Sequence, residues 1–345
     1  MHFSFLSLSL FPFEVLPPCE LMVTTHKVKI ECIFISFFFL KMNVSLASII
    51  NNQFLFIPLD ILGILCMIFV IILSLIYLSI IIFDRTCHTI PLLLIGNTCL
   101  TALFAACCIL SMCTFTLYND VKQIDYPDSF CVFRGYTAYV SCALFNFSFL
   151  LQALYRYVIV VYPRCVIYQS FQIQFICILF NWIYSFVYPL VFTLNNEIIY
   201  DVDNQICQLP FRFSFSIIYV VHFAYLIPVL MIMFIYLKLV RYVRRMNRRI
   251  TPVNRFLRAR QELKMVQHTV MIIAILVVLC FPYAFFIFMS FFTRPPKYHF
   301  RISYIFADIS ILSVMLALFY YTDILKEFFV KKCHGSSNAT EIVEL

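Results

Sequence analysis

The chain has 345 residues, of which 63% are hydrophobic and only 12% are charged, with a formal net charge of +8. Soluble domains carry about 25% charged residues, so this composition excludes an ordinary soluble protein. The 41 Phe and 21 Tyr, against 4 Gly, show that the excess is bulky apolar surface, which lipid can cover and water cannot.

The first apolar stretches, 1–17 and 30–40, are too short to predict membrane spans. Stretch 1–17 resembles the apolar core of a signal peptide, although no firm positive charge precedes it. Alternatively, Met42 opens a polar leader directly before the first long apolar run, and residues 1–41 are then an extension that the working protein does not need. Both interpretations stay open for this part of the N-terminal segment 1–55, which we expect to be extracellular.

Seven later stretches are long enough to cross a bilayer core, which needs about 20 apolar residues of helix. They predict an all-α membrane protein, a seven-transmembrane helix bundle over residues 56–323, and no repeat or low-complexity linker divides it. The predicted spans are 56–83, 90–118, 131–162, 170–194, 213–240, 263–292 and 302–323.

The basic residues of the short connections predict the orientation of this bundle. Sixteen lie on the side of the C-terminus, ten of them in segment 238–264. The opposite side has only five, which are Lys122, Arg212, Arg294, Lys297 and Arg301. This asymmetry predicts an N-terminus outside the cell and a cytoplasmic C-terminus, and it explains most of the net charge without a nucleic-acid partner.

The third predicted span carries the most specific pattern of the sequence. It begins at Cys131, and Arg156 follows 25 residues later, between two tyrosines. At 1.5 Å per residue this separation is roughly 37 Å, one tilted passage through a membrane. Pro163 stands seven residues beyond the arginine. With these residues the chain resembles the rhodopsin-like family of G-protein-coupled receptors, whose third helix runs from a disulfide cysteine to an acid-Arg-Tyr triplet.

The resemblance extends over about residues 52–333 and implies roles for further residues. Trp182, the only tryptophan, matches the family's tryptophan in the fourth helix, and Cys207 falls where the disulfide partner of Cys131 is expected. Kinks are expected at three prolines, which would shape a central cavity: Pro189, Pro228 and Pro282. After the last span, segment 324–345 is expected to begin as a cytoplasmic amphipathic helix with Cys333 placed for palmitoylation, and Asn43 is placed to accept a glycan outside the cell.

The resemblance also implies a switch at the cytoplasmic ends of the helices. Arg156 would pair with Glu262 and hold the bundle closed, and breaking this pair would let the sixth helix swing on Pro282 and admit a heterotrimeric G protein. Tyr157, Tyr236 and Tyr321 match tyrosines of the family's switch.

Several positions depart from the family pattern. Tyr155 replaces the acid before Arg156, segment 90–118 has no Asp, and the seventh span lacks the family's Asn-Pro. A sodium site built on a second-span carboxylate is therefore not expected. The departures also keep open a receptor fold that does not signal.

The ligand class is limited by what the spans lack. Ala138 stands where amine receptors have an Asp, which disfavours a biogenic amine, and segment 302–325 lacks the lysine that binds retinal. A peptide, a lipid or a small odorant remains, and the basic residues between the last two spans favour a peptide. We expect membrane lipids as further partners.

Two other classes of protein compete with this interpretation. A small transporter would show repeats or several charges along a pore, whereas Asp60 and Asp308 stand nearly alone in the spans. An intramembrane enzyme would need clustered His, Asp or Glu residues, so no catalytic residue, metal ligand or cofactor is predicted. The receptor of the plasma membrane is the favoured interpretation.

Overall fold

Helices dominate the computed structural model of the protein, which describes residues 56–83, 89–124, 126–164, 166–212, 214–247, 253–293 and 295–321. Within these ranges, seven helices are long and apolar enough to cross a membrane, which confirms the predicted seven-helix bundle. A helix satisfies all its own backbone hydrogen bonds, and for this reason an apolar run of this length takes this form in lipid.

Four of the spans are continuous helices, and the three others consist of two or three helical pieces each. The continuous ones are the first, second, third and seventh spans, Ile57–Phe83, Ile90–Lys122, Cys131–Val161 and His299–Tyr321. The fourth consists of Phe171–Val187 and Leu190–Leu194, the fifth of Phe215–Val220, the π-helical turn Val221–Leu226 and Ile227–Asn247, and the sixth of Val253–Leu279 and Phe281–Ser290. A 3₁₀ turn, Val166–Gln169, precedes the fourth span.

Local signals set several helix ends. Pro91 lies in the first turn of the second span, where its missing N–H costs nothing, and Gln123 ends that span in the left-handed conformation at φ 55°. Ser170 caps the fourth span by accepting a hydrogen bond from the amide of Ile173 at 3.4 Å.

The third span lies at the centre of the bundle, where it contacts the second, fourth, fifth and sixth spans. Small and branched apolar side chains on it, such as Val140, Ala143 and Leu144, are fully buried. The first span packs against the second and the seventh. Residues at the two ends of the third span are therefore placed to connect to most of the bundle.

Two strands lie between the fourth and fifth spans. β1, Ile199–Asp201, pairs antiparallel with β2, Ile206–Gln208, and Tyr200 stands opposite Cys207. We call the end of the bundle that carries this hairpin the disulfide end, and the opposite end, where Arg156 lies, the arginine end.

Candidate functional site

An ion pair joins the third and sixth spans at the arginine end. Arg156 Nη1 donates to Glu262 Oε2 at 2.7 Å, and the two side chains are 9% and 13% exposed. A charge that is shielded from water needs a partner, and a charge-assisted hydrogen bond is about twice as strong as a neutral one. The pair therefore holds these two helix ends together.

Tyr155 does not take over the function of an acid beside this arginine. Its side chain is buried in an apolar cluster with Leu94, Ile159 and Ile178, contributed by the second, third and fourth spans. Among the described residues, Glu262 is the carboxylate that forms an ion pair with Arg156. The arginine consequently contacts the sixth span directly rather than an acid of its own helix.

The three switch tyrosines predicted from the sequence lie in different surroundings. The ring of Tyr321 stacks on His268 of the sixth span, with 4.2 Å between the ring centroids. The ring of Tyr157 contacts that of Tyr162 edge-on at 6.1 Å, and Tyr236 is half-buried on the fifth span. The sixth span is thus held at the arginine end by Arg156 on one side and by Tyr321 on the other. His268 was missed as a partner because nothing in the sequence links it to position 321.

The three prolines predicted to kink helices all lie at breaks or irregular turns. The sixth span is interrupted at Cys280, directly before Pro282, since proline has no N–H for the helix and its ring crowds the preceding turn. Pro189 lies between the two helices of the fourth span, and Pro228 follows the π-helical turn of the fifth. At the break, Cys280 Sγ lies 3.4 Å from the hydroxyl of Ser310 on the seventh span.

The π-helical turn supplies a contact that the sequence did not predict. Asn146 of the third span donates through Nδ2 to the carbonyl of Ala224 at 3.0 Å. A π turn shifts the usual helix hydrogen bonds by one residue, which exposes a carbonyl to a side chain. The fifth span is thereby attached to the middle of the third.

Trp182 connects the fourth span to the second. Its indole N–H donates to Asn97 Oδ1 at 3.0 Å, and its ring lies against those of Phe104 and Phe186. Buried tryptophan needs such an acceptor for its single N–H. Asn97 therefore has a structural partner in the fourth span.

The disulfide between Cys131 and Cys207 is present, and that prediction is confirmed. It ties β2 to the first residue of the third span, with 5.4 Å between the two Cα atoms. Gly135 lies one turn further along that span and faces the carbonyl of Cys207 so closely that a Cβ could not fit. The amide of Leu209 donates to the hydroxyl of Tyr139 at 3.1 Å, which attaches the residue after β2 to the third span.

The hairpin is also attached to the seventh span. The side-chain oxygen of Asn204 accepts from the amides of Phe300 at 3.0 Å and Arg301 at 3.4 Å, and Gln208 Nε2 donates to the hydroxyl of Tyr304 at 2.5 Å. The hairpin therefore covers the disulfide end between the third and seventh spans.

Arg301 is not part of a basic outer rim, and the placement predicted from the sequence is wrong. It lies in the first turn of the seventh span, and its guanidinium donates to both carboxylate oxygens of Asp120, at 2.5 and 2.9 Å. The second span continues to Lys122 and so includes Asp120, which lies beyond the predicted span 90–118. The buried pair explains the difference, because a paired arginine can enter a span that an unpaired one would not.

Asp60 and Asp308 do not stand nearly alone, which is a second correction. Asp60 Oδ2 lies 3.8 Å from Arg301 Nη1. Asp308 Oδ2 accepts from the thiol of Cys113 at 3.9 Å, and it faces Gly63, where an added Cβ would lie 2.6 Å away. The first, second and seventh spans thus share a polar cluster at the disulfide end.

Known proteins show the same architecture. The family model of the 7 transmembrane receptor (rhodopsin family) matches residues 74–319, well over half of the chain. The chain belongs to the rhodopsin family of seven-transmembrane receptors. The crystal structure of squid rhodopsin is similar to it, with a TM-score of 0.66 at 15% sequence identity, over 82% of this chain and 88% of that one. At this identity the likeness shows the fold alone. A comparison with curated proteins gives no match.

Membership of the rhodopsin family does not remove the departures from its pattern. The family match begins at residue 74, so Gly63 and the polar cluster residue Asp60 lie before it. Asp120 is the only carboxylate of the second span, at its disulfide end. The predicted glycan at Asn43, the palmitoyl group at Cys333 and the amphipathic helix in 324–345 lie outside the described residues.

Proposed function

We propose that this rhodopsin-family receptor binds an extracellular ligand at its disulfide end and signals to a heterotrimeric G protein at its arginine end. The observation that carries the proposal is the ion pair of Arg156 with Glu262, which links the third span to the sixth at 2.7 Å. Family membership supports the class of partner, and the pair supports the place where that partner acts.

The receptor is proposed to lie in the plasma membrane. The distribution of charge supports an orientation in which the arginine end faces the cytoplasm. Exposed basic side chains cluster on the fifth and sixth spans at that end: Arg241, Arg244, Arg245, Arg260 and Lys264. Basic residues are retained on the cytoplasmic side and attract anionic lipids and acidic protein surfaces. Large apolar side chains such as Leu65, Phe180 and Ile183 are exposed on the sides of the bundle, where membrane lipids would cover them.

The proposed mechanism is a movement of the sixth span. Its helix is interrupted at Cys280, so the piece Val253–Leu279 can change its angle to Phe281–Ser290 with little loss of hydrogen bonding. Arg156 and Tyr321 hold this piece against the third and seventh spans. A ligand that favours the open arrangement must supply the free energy of those two contacts as differential binding.

A peptide is still a candidate ligand, but the basic residues between the last two spans support it less than the sequence suggested. Of the three basic residues of the proposed rim, Arg301 is buried and Lys297 lies 4.0 Å from Asp203. Arg294 lies outside the described residues. Two of the three positive charges that would attract an acidic peptide therefore lie beside carboxylates of the protein itself.

A second candidate is a receptor-fold protein that does not signal. Tyr155 is buried in an apolar cluster at the position of the family's acid, so the arginine lacks one of the partners on which switching would depend. This candidate predicts that the arginine end binds no G protein.

Basal signalling of variants distinguishes the two candidates. Wild type, Glu262→Gln and Arg156→Ala would be expressed in cells with G-protein dissociation sensors, at matched surface levels. A charge-assisted hydrogen bond contributes about 1.5–3 kcal/mol, so Glu262→Gln should raise the open-to-closed ratio about tenfold or more. Arg156→Ala should abolish the signal.

Asp128→Asn is the matched control, because Asp128 forms an ion pair with Arg134 at the opposite end of the third span. Its basal signal should equal that of wild type. Equal silence of wild type, Glu262→Gln and Arg156→Ala across all G-protein sensors would contradict the proposal and favour the non-signalling candidate.

A further inference from the structure

A small cavity lies beneath the hairpin, between the first, second and seventh spans. Its walls are mostly apolar and include Leu59, Met112 and Ile206, the last from β2. Two carboxylates, Asp60 and Asp308, line the same cavity. They are 8% and 1% exposed, so both acids in the cavity wall are largely shielded from solvent.

Acidic side chains outnumber basic ones at this cavity. Asp60 and Asp120 both form ion pairs with the guanidinium of Arg301, and Asp308 lines the same cavity. The guanidinium gives two hydrogen bonds to Asp120, and Asp60 Oδ2 is left at 3.8 Å from it.

Two carboxylate oxygens at the cavity lack a donor. Among the described residues, Asp60 Oδ2 and Asp308 Oδ1 accept no hydrogen bond. A buried carboxylate without a donor is costly, because it has lost water and gained nothing in exchange. These two oxygens are unused acceptors on the wall of one cavity, and a positive donor inside the cavity would satisfy them.

The surroundings favour an organic ammonium over a metal ion. Hard metal ions take six or more oxygen ligands, and no three His, Cys, Asp or Glu side chains converge to hold a metal among the residues that the structure describes. An ammonium needs only a few acceptors for its three N–H groups. Its alkyl chain would lie against apolar walls such as Leu59 and Met112.

We propose that this cavity binds the protonated amine of the ligand, with the ammonium between Asp60 and Asp308 and the attached aliphatic chain along the apolar wall. The inference rests on the proposed ligand-binding role of the disulfide end and names the chemistry of the group recognised there. The site lies on the first and seventh spans, away from Ala138, so the missing acid of the third span does not argue against it. The ammonium belongs either to a small free alkylamine or to a lysine of a peptide.

Thermal unfolding of the full chain in nanodiscs tests the proposal with simple probes. n-Butylammonium should raise the unfolding temperature in a saturable way, whereas n-butanol, which lacks the charge, should not. Sodium chloride at equal ionic strength controls for salt. Acetyl-lysine-amide, compared with acetyl-norleucine-amide, distinguishes a peptide lysine from a free amine as the source of the group.

Variants locate the effect. Asp308→Asn and Asp60→Asn should each weaken the apparent affinity for n-butylammonium about tenfold or more, since each removes a charge-assisted hydrogen bond. Asp128→Asn, at the rim and outside the cavity, should leave the affinity unchanged. If Asp308→Asn does not fold, Gly63→Ala displaces the same carboxylate, because its Cβ would lie 2.6 Å from Asp308 Oδ2.

Three results would overturn the proposal: equal shifts with n-butanol, equal shifts with sodium chloride, or an ammonium effect that survives in both Asp→Asn variants. A failure here is distinct from a failure of the proposed signalling. The unfolding temperature is measured without a G protein, and the Glu262→Gln assay is measured without an amine.

Discussion

The pair of Arg301 with Asp120 allows a quantitative prediction. The two side chains are 2% and 1% exposed, and the guanidinium makes two hydrogen bonds to the carboxylate. In Asp120→Asn the side chain keeps its shape and loses its charge, so the guanidinium remains buried with weaker compensation. We expect a large loss of stability from this single change.

The expected size of the loss follows from the burial and from the remaining acid. Removing one partner of a buried ion pair costs about 3–5 kcal/mol. Asp60 Oδ2 still lies 3.8 Å from Arg301 Nη1 and offsets part of this, so the low end applies. Domains of about 150–250 residues lose about 2–4 °C of Tm per kcal/mol, so for this larger chain the fall should be at most about 6–12 °C.

Unfolding of the purified receptor in nanodiscs can be followed with a thiol-reactive dye, because Cys66 and Cys99 are buried and react only when the bundle opens. Asp128→Asn, which breaks the partly exposed pair with Arg134, is the control. It should lower Tm by no more than about 2 °C, since exposed pairs contribute about 0–1 kcal/mol.

The double variant Asp120→Leu with Arg301→Met removes both charges together. Replacing a whole buried pair by apolar residues is often neutral, so the double variant should be more stable than Asp120→Asn alone. A Tm of Asp120→Asn no lower than that of Asp128→Asn would contradict the expected cost of breaking the buried pair. So would a double variant that is the least stable of the set.

Three further predictions concern single contacts. Cys207→Ser opens a loop of 76 residues and should lower the free energy of unfolding by about 4 kcal/mol. The loss is measured as a lower level of folded receptor at the cell surface. An unchanged level would contradict the role of the disulfide. In Gly135→Ala the added methyl group meets a backbone carbonyl, which should destabilise the folded receptor by about 1–3 kcal/mol. Gly96→Ala, where the nearest side chain would be 3.6 Å from the new Cβ, is the control and should not destabilise it. Equal Tm values for the two variants would contradict the packing argument. Trp182→Phe removes the donor to Asn97 and should cost about 1–2 kcal/mol in the same unfolding assay, and no loss would show that this hydrogen bond is dispensable.

The fold was predictable from the sequence because lipid leaves few alternatives to a helix. Each apolar run of sufficient length had to become a span, and the confirmed disulfide followed from the resemblance around Cys131. The position of Trp182 inside the fourth span was equally predictable from the sequence. Its hydrogen-bond acceptor, Asn97, was not, because that pairing depends on how the second and fourth helices are rotated relative to each other.

The polar cluster could not be predicted because it depends on contacts between distant residues. Hydropathy alone assigns Arg301 to a loop, since an unpaired arginine is disfavoured in a span. Asp120 reverses that assignment, although 181 residues separate the two, and it also extends the second span to Lys122. The π-helical turn Val221–Leu226 has no sequence signal of its own, because Asn146 on another span stabilises it.

The central claim is that the sixth span moves away from the third when the contact of Arg156 with Glu262 is lost. Spin labels at Tyr162 and Leu257, both exposed, report the separation of these two helix ends when introduced as non-natural amino acids. Glu262→Gln should add a population at a longer distance than in wild type, and Asp128→Asn should not. An identical distance distribution for Glu262→Gln and wild type, with both proteins folded, would contradict the claim.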